Sequence, residues 1–374
     1  MPSGTCTATC SAPLGVGGLG RHLQEIVEAL ARREQPTVCL DGASSAASET
    51  PARSSRPGRR PSRAELLAAL PVPFSPGVRT RVFMGEFDAH AARRLQARDH
   101  LIAFNGQALG QFRAARSLGY ASVSLVSANS HLRRVLRQHA AAHRRYPLEG
   151  SWAAHLLRRN LAEYEQADRV YAGSAYTVES FLEQGFPAEK LCQFPFTPDP
   201  RYRPAGAPAS DTFEVVYIGS LSVAKGVPLL IDAFRRVSQD DLRLTLIGGW
   251  GSRGMRRFVE AACARDQRIS VRPGDPLAHL RAASLCVHPT YEDGFGYAPA
   301  EALACGVPVI VTEDTGMKEL IGDAGAGLVL PTGDQDALTE AIAAAYRGEI
   351  LSAGARADAP RPGSHAHAGR AGSH

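Results

Sequence analysis

The chain has 374 residues, of which 44% are hydrophobic, so it is long enough for two ordinary domains that each bury a core. Its formal charge of +5 suits a protein that meets anionic ligands and is too small for a dedicated nucleic-acid binder. The seven cysteines show no paired spacing, which excludes a disulfide framework. Neither a secretion signal nor an apolar stretch of roughly 18 residues is found, so we expect a cytoplasmic protein with at most peripheral contact to a membrane.

The first half of the sequence alternates short apolar runs with helix-like stretches. The runs are TCTATCSA, TVCLD, RTRVFMG, DHLIAFNG, ASVSLVSA and DRVYAGS. Apolar strands that alternate with helices predict a parallel sheet covered on both faces. Residues 42–63 interrupt the pattern with Ser, Ala, Pro and Arg, and we predict a disordered insert there.

A glycine-rich loop, GVGGLG at residues 15–20, follows the first predicted strand and opens a helix. Asp41 closes the next strand about 20 residues later, which is the spacing of a dinucleotide-binding site. Exposed backbone N–H groups at a helix start favour any anionic ligand, so the same loop also fits another phosphate-bearing molecule, or a turn needed only for packing. An NAD(P)-dependent oxidoreductase therefore stays open as one interpretation.

His131 and a run of arginines follow the strand ASVSLVSA. His131 lies where the carboxyl end of a strand would face a ligand, although a buried structural histidine is the alternative. Beyond it, one acid, Glu149, stands against seven arginines. These are Arg133, Arg134, Arg137, Arg144, Arg145, Arg158 and Arg159. Such a run predicts either a solvated helix face or a surface for an anionic acceptor or acidic lipid headgroups.

The same alternation of strands and helices returns in the second half, from Phe213 onward. Its apolar runs are EVVYIGSL, LRLTLIGG, RISVRPG, SLCVHPT and VPVIVTE. A proline-rich linker at residues 196–211 separates the halves. We therefore predict an α/β protein with two doubly wound, Rossmann-like domains that face a central cleft, over residues 1–200 and 201–352, and a disordered tail over residues 353–374.

Two loops of the second half carry charged residues at helix starts. In YIGSLSVAKG, Ser220 precedes Lys225, and a lysine beside a glycine at a helix start can hold a diphosphate. The loop of PTYEDGFGYAPAEALACG supplies Asp293, Gly294, Phe295, Gly296 and Glu301. Pro299 predicts a helix start that puts Glu301 in the first turn. Because neighbouring side chains of an extended loop point apart, we expect Asp293 to face the ligand and Glu292 to cap or to pair at the rim.

Together these motifs resemble the retaining, nucleotide-sugar-dependent glycosyltransferases of family 4, which have the GT-B fold of two Rossmann-like domains. The family pattern has an acid, any residue, Phe-Gly, a Glu eight residues after the acid, and a small-Gly-x-Pro-Val run. Asp293, Phe295, Gly296, Glu301 and ACGVPVIV match it. The resemblance extends over most of residues 10–350. Three features depart from the pattern: Ser220 replaces an arginine, Asp293 replaces a glutamate, and the helix that closes back on the first domain is not recognisable.

The resemblance implies a role for each matching residue. Lys225 holds the donor diphosphate, Glu301 the nucleotide ribose and Asp293 the sugar hydroxyls. The other donor-binding positions are Gly17, Gly18, Ser220, Gly294, Phe295 and Gly296. His131 is implied to lie near the reacting sugar and the acceptor, so His131, Asp293 and Glu301 are the candidate catalytic residues.

The implied activity is transfer of a sugar, with retention, from a UDP- or GDP-sugar bound to the second domain. The acceptor, on the side of the first domain, stays open, with an anionic or a lipid-linked molecule as the options. No cofactor, metal or nucleic acid is expected. DQD at residues 334–336 spells the Asp-x-Asp of metal-dependent transferases of another fold, but its position predicts a helix cap instead. An inactive sugar-nucleotide-binding protein is the third interpretation.

Overall fold

The computed structural model describes residues 4–42, 76–194, 197–204, 212–321 and 326–350. Residues 43–63 of the predicted insert and the whole predicted tail lie outside these ranges. The chain divides into two compact units, residues 1–140 with 150–196, and residues 141–149 with 197–374. Within the described ranges each unit is built on one six-stranded sheet, and all strands are parallel.

The sheet of the first unit has the order β2-β1-β3-β4-β5-β6. Its strands are β1 Cys6–Cys10, β2 Thr37–Asp41, β3 His100–Phe104, β4 Ser122–Ser127, β5 Arg169–Ala172 and β6 Leu191–Gln193. Its helices are α1 Gly17–Ala31, α2 Pro76–Ala92, α3 Leu109–Ser117, α4 Leu132–Arg145, α5 Ala153–Gln166 and α6 Ala175–Leu182, with a short 3-10 turn at Ala188–Lys190. The winding reverses between β1 and β3, so a ligand-binding crevice is expected at their carboxyl ends.

The prediction of a strand at RTRVFMG is wrong, because these residues lie within α2. The apolar residues that α2 and the turn after it bury include Phe87, Ala91 and Leu95, which recur every four positions as one helix face does. Phe83, inside the predicted strand, is exposed. A short apolar run does not distinguish a strand from a helix by itself, and here the helical spacing of the following residues decides.

Two buried carboxylates hold the start of α3, the helix that follows β3. Glu163 of α5 accepts hydrogen bonds from the N–H groups of Ala108 at 2.9 Å and Leu109 at 3.2 Å. Asp88 of α2 accepts from the next two N–H groups, at 2.7 and 2.9 Å. Arg159 pairs with both acids. Because the first N–H groups of a helix lack partners within it, these acids satisfy them.

The sheet of the second unit has the order β9-β8-β7-β10-β11-β12. Its strands are β7 Phe213–Ile218, β8 Leu242–Ile247, β9 Ile269–Val271, β10 Leu285–His288, β11 Val309–Thr312 and β12 Gly327–Leu330. Its helices are α7 Val227–Arg235, α8 Arg253–Arg265, α9 Pro276–Ala282, α10 Tyr297–Ala304 and α11 Gln335–Tyr346, with a 3-10 turn at Gly316–Leu320. Counted from β7, this is the order 3-2-1-4-5-6 of the Rossmann fold, and its winding reverses between β7 and β10. The predicted α/β class with two doubly wound sheets is confirmed.

The short segment 141–149, which includes the end of α4, packs with the second unit. Tyr146 donates to Asp232 at 2.8 Å, and Glu149 accepts from the N–H of Val223 at 2.7 Å. Ala142 belongs to the buried core of that unit, with Tyr146 and Leu148 packed against it. The second unit therefore contains nine residues that precede its main part in the sequence.

Among the helices that the structure describes, none combines the length and the apolar composition that a bilayer crossing requires.

Candidate functional site

Two loops leave the strands at which the second sheet reverses its winding. The first, residues 219–226, runs from β7 to α7, and the second, residues 289–296, runs from β10 to α10. Gly226 has a φ of 72°, and a Cβ there would lie 1.9 Å from the carbonyl oxygen of Pro289, so only glycine lets the two loops touch. Tyr291 also donates its N–H to the Ala224 carbonyl at 2.9 Å. The loops are thus held together where open α/β sheets bind ligands.

Lys225 and Asp293, one from each loop, form an ion pair. Lys225 Nζ lies 2.9 Å from Asp293 Oδ2 and also donates to the main-chain carbonyl of Glu292 at 2.9 Å. The lysine side chain is 25% exposed and the aspartate 21%, so both reach the surface. Burial alone would raise the pKa of Asp293, but the charge of Lys225 and a hydrogen bond from His288 outweigh it and hold that pKa well below its usual range. The site therefore presents an ionised carboxylate beside an ammonium group.

His288, the last residue of β10, was missed by the sequence reasoning. Its Nε2 lies 3.0 Å from the same oxygen of Asp293, and its ring is stacked on Tyr217 with centroids 6.3 Å apart. All four residues of β10 are buried. A histidine in such a strand needs a hydrogen-bond partner, and that requirement is the signal that could have found it.

Asp293 is fixed by its main chain as well as by its side chain. Its N–H donates to the carbonyl of Asp314, and its own carbonyl accepts from the N–H of Gly316, both at 3.0 Å. Lys225 and His288 both bind Oδ2, while Oδ1 has no hydrogen-bond donor within the described residues. One oxygen of the carboxylate is thus occupied twice and the other is open to a ligand.

Glu292 is 1% exposed, so the predicted pairing at the rim is wrong, and the alternative of a capping role stays a prediction. The hydroxyl of Thr290 accepts from the Glu292 N–H at 3.2 Å and donates to the Glu292 carbonyl at 2.8 Å. This double contact bends the chain back on itself. The rule that neighbouring side chains of an extended segment point apart therefore does not apply here.

Glu301 lies in the second turn of α10, so the predicted first-turn position is wrong. The helix begins at Tyr297, after Gly296 in a left-handed conformation with φ of 91°, and Pro299 is its third residue. A Cβ on Gly296 would lie 2.8 Å from the Met317 side chain, so glycine is required at this helix start. Glu301 is 1% exposed.

The other predicted donor-binding positions of the second unit differ in burial and contacts. Phe295 is buried, and its ring packs edge-to-face on that of Tyr297 with centroids 5.0 Å apart. The side chain therefore packs within the loop. Gly294 is buried beside it. Ser220 is exposed, and its carbonyl accepts from the hydroxyl of Tyr217 at 2.8 Å.

In the first unit, Gly17 and Gly18 form an open start to α1. A Cβ on either would meet nothing within 4 Å, and the cap residue Val16 makes no side-chain hydrogen bond to the helix. Gly20 differs, because a Cβ there would lie 2.0 Å from the Pro13 carbonyl oxygen. The loop therefore leaves backbone N–H groups at α1 accessible to an anionic ligand.

Asp41, the acid of the alternative dinucleotide interpretation, accepts the N–H of Leu14 at 2.8 Å. One of its oxygens thus binds the residue just before the glycine-rich loop, which a dinucleotide would also approach.

His131 precedes α4 in the first unit and is buried, with 4% exposed. Its Nδ1 accepts from the N–H of Arg133 at 3.3 Å, and its ring packs on Tyr164 and Phe181 at 4.8 and 5.0 Å. Burial, with the charge of Arg133, lowers the pKa of His131 to about 4. The imidazole is neutral at pH 7 and carries its proton on Nε2.

Three of the seven arginines stabilise the fold. Arg134 pairs with Glu183, Arg159 with Asp88, and Arg145 donates to the carbonyl of Gly333 at 2.7 Å. The other four are exposed, namely Arg133, Arg137, Arg144 and Arg158. Both interpretations of the basic run stay open for these four.

The cap predicted for DQD is confirmed. Asp334 accepts the N–H of Ala337 at 2.9 Å as the N-cap of α11, and Asp336 in the first turn pairs with Arg236 at 2.5 Å. Within the residues that the structure describes, no group of three or more His, Cys, Asp or Glu side chains is placed to hold a metal ion.

Solved structures with the same architecture cover almost the whole chain. Sucrose-phosphate synthase from Thermosynechococcus elongatus has a TM-score of 0.69 and 20% identity, over 94% of this chain and 93% of that one. HepE of Anabaena, in complex with UDP and glucose, has a TM-score of 0.64 and 16% identity, over 95% and 93%. These likenesses show the GT-B fold.

Two family models divide the chain between them. The model described as Glycosyltransferase Family 4 matches residues 16–195, and the model described as Glycosyl transferases group 1 matches residues 199–360. The chain therefore belongs to glycosyltransferase family 4, of the GT-B fold, as its motifs predict.

Curated relatives match over shorter stretches. A D-inositol 3-phosphate glycosyltransferase of Geodermatophilus obscurus is 29% identical over 164 residues, which are 40% of this chain and 36% of that protein. The O-antigen chain mannosyltransferase B of Escherichia coli is 31% identical over 135 residues, which are 34% and 35%. The matched part of the chain thus spans little more than a third of the length of these relatives.

Proposed function

We propose that the chain is a glycosyltransferase that moves a sugar, with retention and without a metal ion, from a nucleotide sugar to an acceptor. The ion pair of Lys225 and Asp293, at the point where the second sheet reverses its winding, carries the proposal. It lies within the region matched by the Glycosyl transferases group 1 model. The solved neighbour HepE, which holds UDP and glucose, supports a nucleotide-sugar donor.

Lys225 is the proposed binding group for the donor diphosphate. An ammonium group has three N–H donors, and the carbonyl of Glu292 and the carboxylate of Asp293 engage two of them. The third donor and the positive charge are available to a diphosphate. Because Ser220 replaces the arginine of the family pattern, Lys225 would supply much of the charge that stabilises the leaving diphosphate.

Asp293 and Glu301 are the proposed groups for the donor's hydroxyls. Oδ1 of Asp293 is open and ionised, so it can accept a hydrogen bond from a sugar hydroxyl. Glu301 is assigned to the nucleotide ribose by the family pattern. In the first unit, the open start of α1 at Gly17 and Gly18 is proposed to donate backbone N–H groups to phosphate, and His131 to serve the reacting sugar and the acceptor.

In the proposed reaction, the bond between the sugar's anomeric carbon and the diphosphate oxygen breaks. The acceptor oxygen forms the new bond on the same face of the sugar, and its proton passes to the departing diphosphate. This route needs charge stabilisation more than a dedicated base, which agrees with a site built from one ammonium and one carboxylate.

Thermal-shift and transfer assays with a ligand panel test this function. We expect UDP-glucose or GDP-mannose to raise the unfolding temperature and NAD to leave it unchanged, because a ligand at 100 times its Kd stabilises by about 2.7 kcal/mol. Transfer is expected to persist in EDTA. Stabilisation by NAD alone would favour the oxidoreductase, and a bound nucleotide sugar without transfer or hydrolysis would favour an inactive binding protein. Loss of transfer in EDTA that Mn²⁺ restores would contradict metal independence.

A further inference from the structure

The imidazole of His288 meets the candidate donor site through a single atom, Oδ2 of Asp293. This is the ring's one hydrogen bond within the described residues, because Nδ1 is buried and has no hydrogen-bond partner there. The side chain is 4% exposed, so a ligand cannot touch it. Its hydrogen bond to Asp293 is therefore the direct route by which His288 can act on a bound sugar.

The position of His288 is rigid. The residue ends β10 and is in register with Val311 of β11 in the parallel sheet. Its ring is nearly parallel to that of Tyr217, at an angle of 9°, and Tyr217 is itself fully buried. A group that is fixed on a strand and stacked on one face can hold a neighbour in a narrow range of orientations.

The fixed ring of His288 acts on Oδ2 of Asp293, the oxygen that Lys225 also binds. An ionised carboxylate only accepts hydrogen bonds, so Nε2–H of His288 is the donor. Lys225 binds the same oxygen through a flexible four-carbon stem, and alone it would let the carboxylate rotate and exchange its two oxygens. With a second donor on a rigid ring, Oδ2 is held in place and Oδ1 points to the open side.

We propose that His288 is a positioning residue for recognition of the donor sugar: it fixes Oδ2 of Asp293 so that Oδ1 meets a sugar hydroxyl. The inference rests on the proposed function and deepens it. It also accounts for an aspartate where the family pattern has a glutamate, since a shorter side chain that reaches less far depends more on a fixed orientation.

Two amide variants of His288 separate hydrogen bonding from packing. The amide nitrogen of His288→Gln can stand close to the position of Nε2 and donate to Asp293, whereas that of His288→Asn is nearer the main chain, at the position of Nδ1. Calorimetry compares binding of UDP and UDP-glucose, and of GDP and GDP-mannose, because the nucleotide alone carries no sugar hydroxyl. We expect His288→Asn to weaken binding of the nucleotide sugar about tenfold or more and to leave the nucleoside diphosphate within about twofold. His288→Gln should restore most of the loss.

A double-mutant cycle with Asp293→Asn tests the route of the effect. If His288 acts through Asp293, adding His288→Asn to Asp293→Asn changes nucleotide-sugar affinity no further. The proposal is overturned if His288→Asn binds the nucleotide sugar like the wild type, if the Gln and Asn variants lose equal affinity, or if the loss persists in full beside Asp293→Asn. A wild-type protein that binds neither nucleotide sugar overturns the proposed function itself, and with it this role of His288.

Discussion

The ammonium group of Lys225 lies 2.9 Å from the carboxylate of Asp293, and the two residues follow different strands of one sheet. The pair brings together opposite charges in the proposed donor site. Each residue holds the other in place before any ligand binds, so a change in one is expected to affect both.

Replacement of Lys225 by alanine is expected to weaken binding of UDP or GDP by about tenfold to a hundredfold, because a hydrogen bond to a charged group contributes roughly 1.5–3 kcal/mol. Isothermal calorimetry measures the change. Lys190→Ala is the matched control, since Lys190 donates to a main-chain carbonyl, that of Ala167, in the first unit. Equal affinity of the Lys225→Ala variant and the wild type would remove Lys225 from the donor site.

Asp293→Asn is expected to cut turnover strongly, because the amide cannot accept from Lys225, His288 and a sugar hydroxyl as the carboxylate does. Glu301→Gln should also cut turnover, and Glu292→Gln should change it little. The measurement is the initial transfer rate on the donor that the wild type prefers, with folding followed by circular dichroism. If Glu292→Gln lost the activity and Asp293→Asn kept it, Glu292 would be the sugar-binding acid.

The depressed pKa of Asp293 also predicts a pH effect on stability. The ionised carboxylate stabilises the folded state above its unfolded pKa of about 3.9, and this contribution is lost as the pH falls below that value. The unfolding free energy of Asp293→Asn should therefore fall less than that of the wild type between pH 5 and pH 3. Parallel losses in urea titrations of the two proteins would contradict this.

Glu163 should show the opposite pH dependence. Burial raises its pKa to about 7, although the N–H groups of Ala108 and Gly106 and the charge of Arg159 pull it down. Between about pH 4.5 and 7 the folded protein then keeps a proton that the unfolded chain has released, so raising the pH through this range lowers the unfolding free energy. Glu163→Gln should flatten that slope in urea titrations, and Glu165→Gln, at an exposed position of the same helix, should retain it. A slope that survives in Glu163→Gln would assign it to another group.

Gly226→Ala is expected to destabilise the second unit by at least about 2 kcal/mol, because the new methyl group would overlap the Pro289 carbonyl and alanine disfavours the positive φ. Binding of UDP or GDP should weaken with it, since the two loops could no longer touch. Gly249→Ala is the matched control, because a Cβ there meets nothing within 4 Å. Chemical denaturation and calorimetry measure the two effects. A Gly226→Ala protein as stable as Gly249→Ala would contradict the close contact of the loops.

The sequence predicted the architecture because alternation of buried strands and helices is a long-range pattern that few local errors can hide. Lys225 and Asp293 were both assigned to a donor site through the resemblance to the family, and their ion pair is a finding of the structure. RTRVFMG was assigned wrongly because a short run with mixed polarity fits both a strand and one face of a helix.

The remaining errors concern positions that one backbone or side-chain contact decides. The start of α10 is set by the left-handed Gly296, whereas Pro299 suggested a later start. The burial of Glu292 depends on the hydroxyl of Thr290, which bends the loop. The proposed role of His288 depends on its contact with Asp293, five residues later. A single sequence does not show which side chains will be in contact.

The nine residues 141–149 limit where the chain can be divided into fragments. A fragment cut at the predicted linker and beginning at residue 197 would lack Tyr146 and Glu149, and so the partners of Asp232 and of the Val223 N–H. Val223 lies in the same loop as Lys225. An expression fragment of the second unit, or a chimera that exchanges this unit, therefore has to include residues 141–149. They can be added by a second graft or by circular permutation, although they lie in the first half of the sequence.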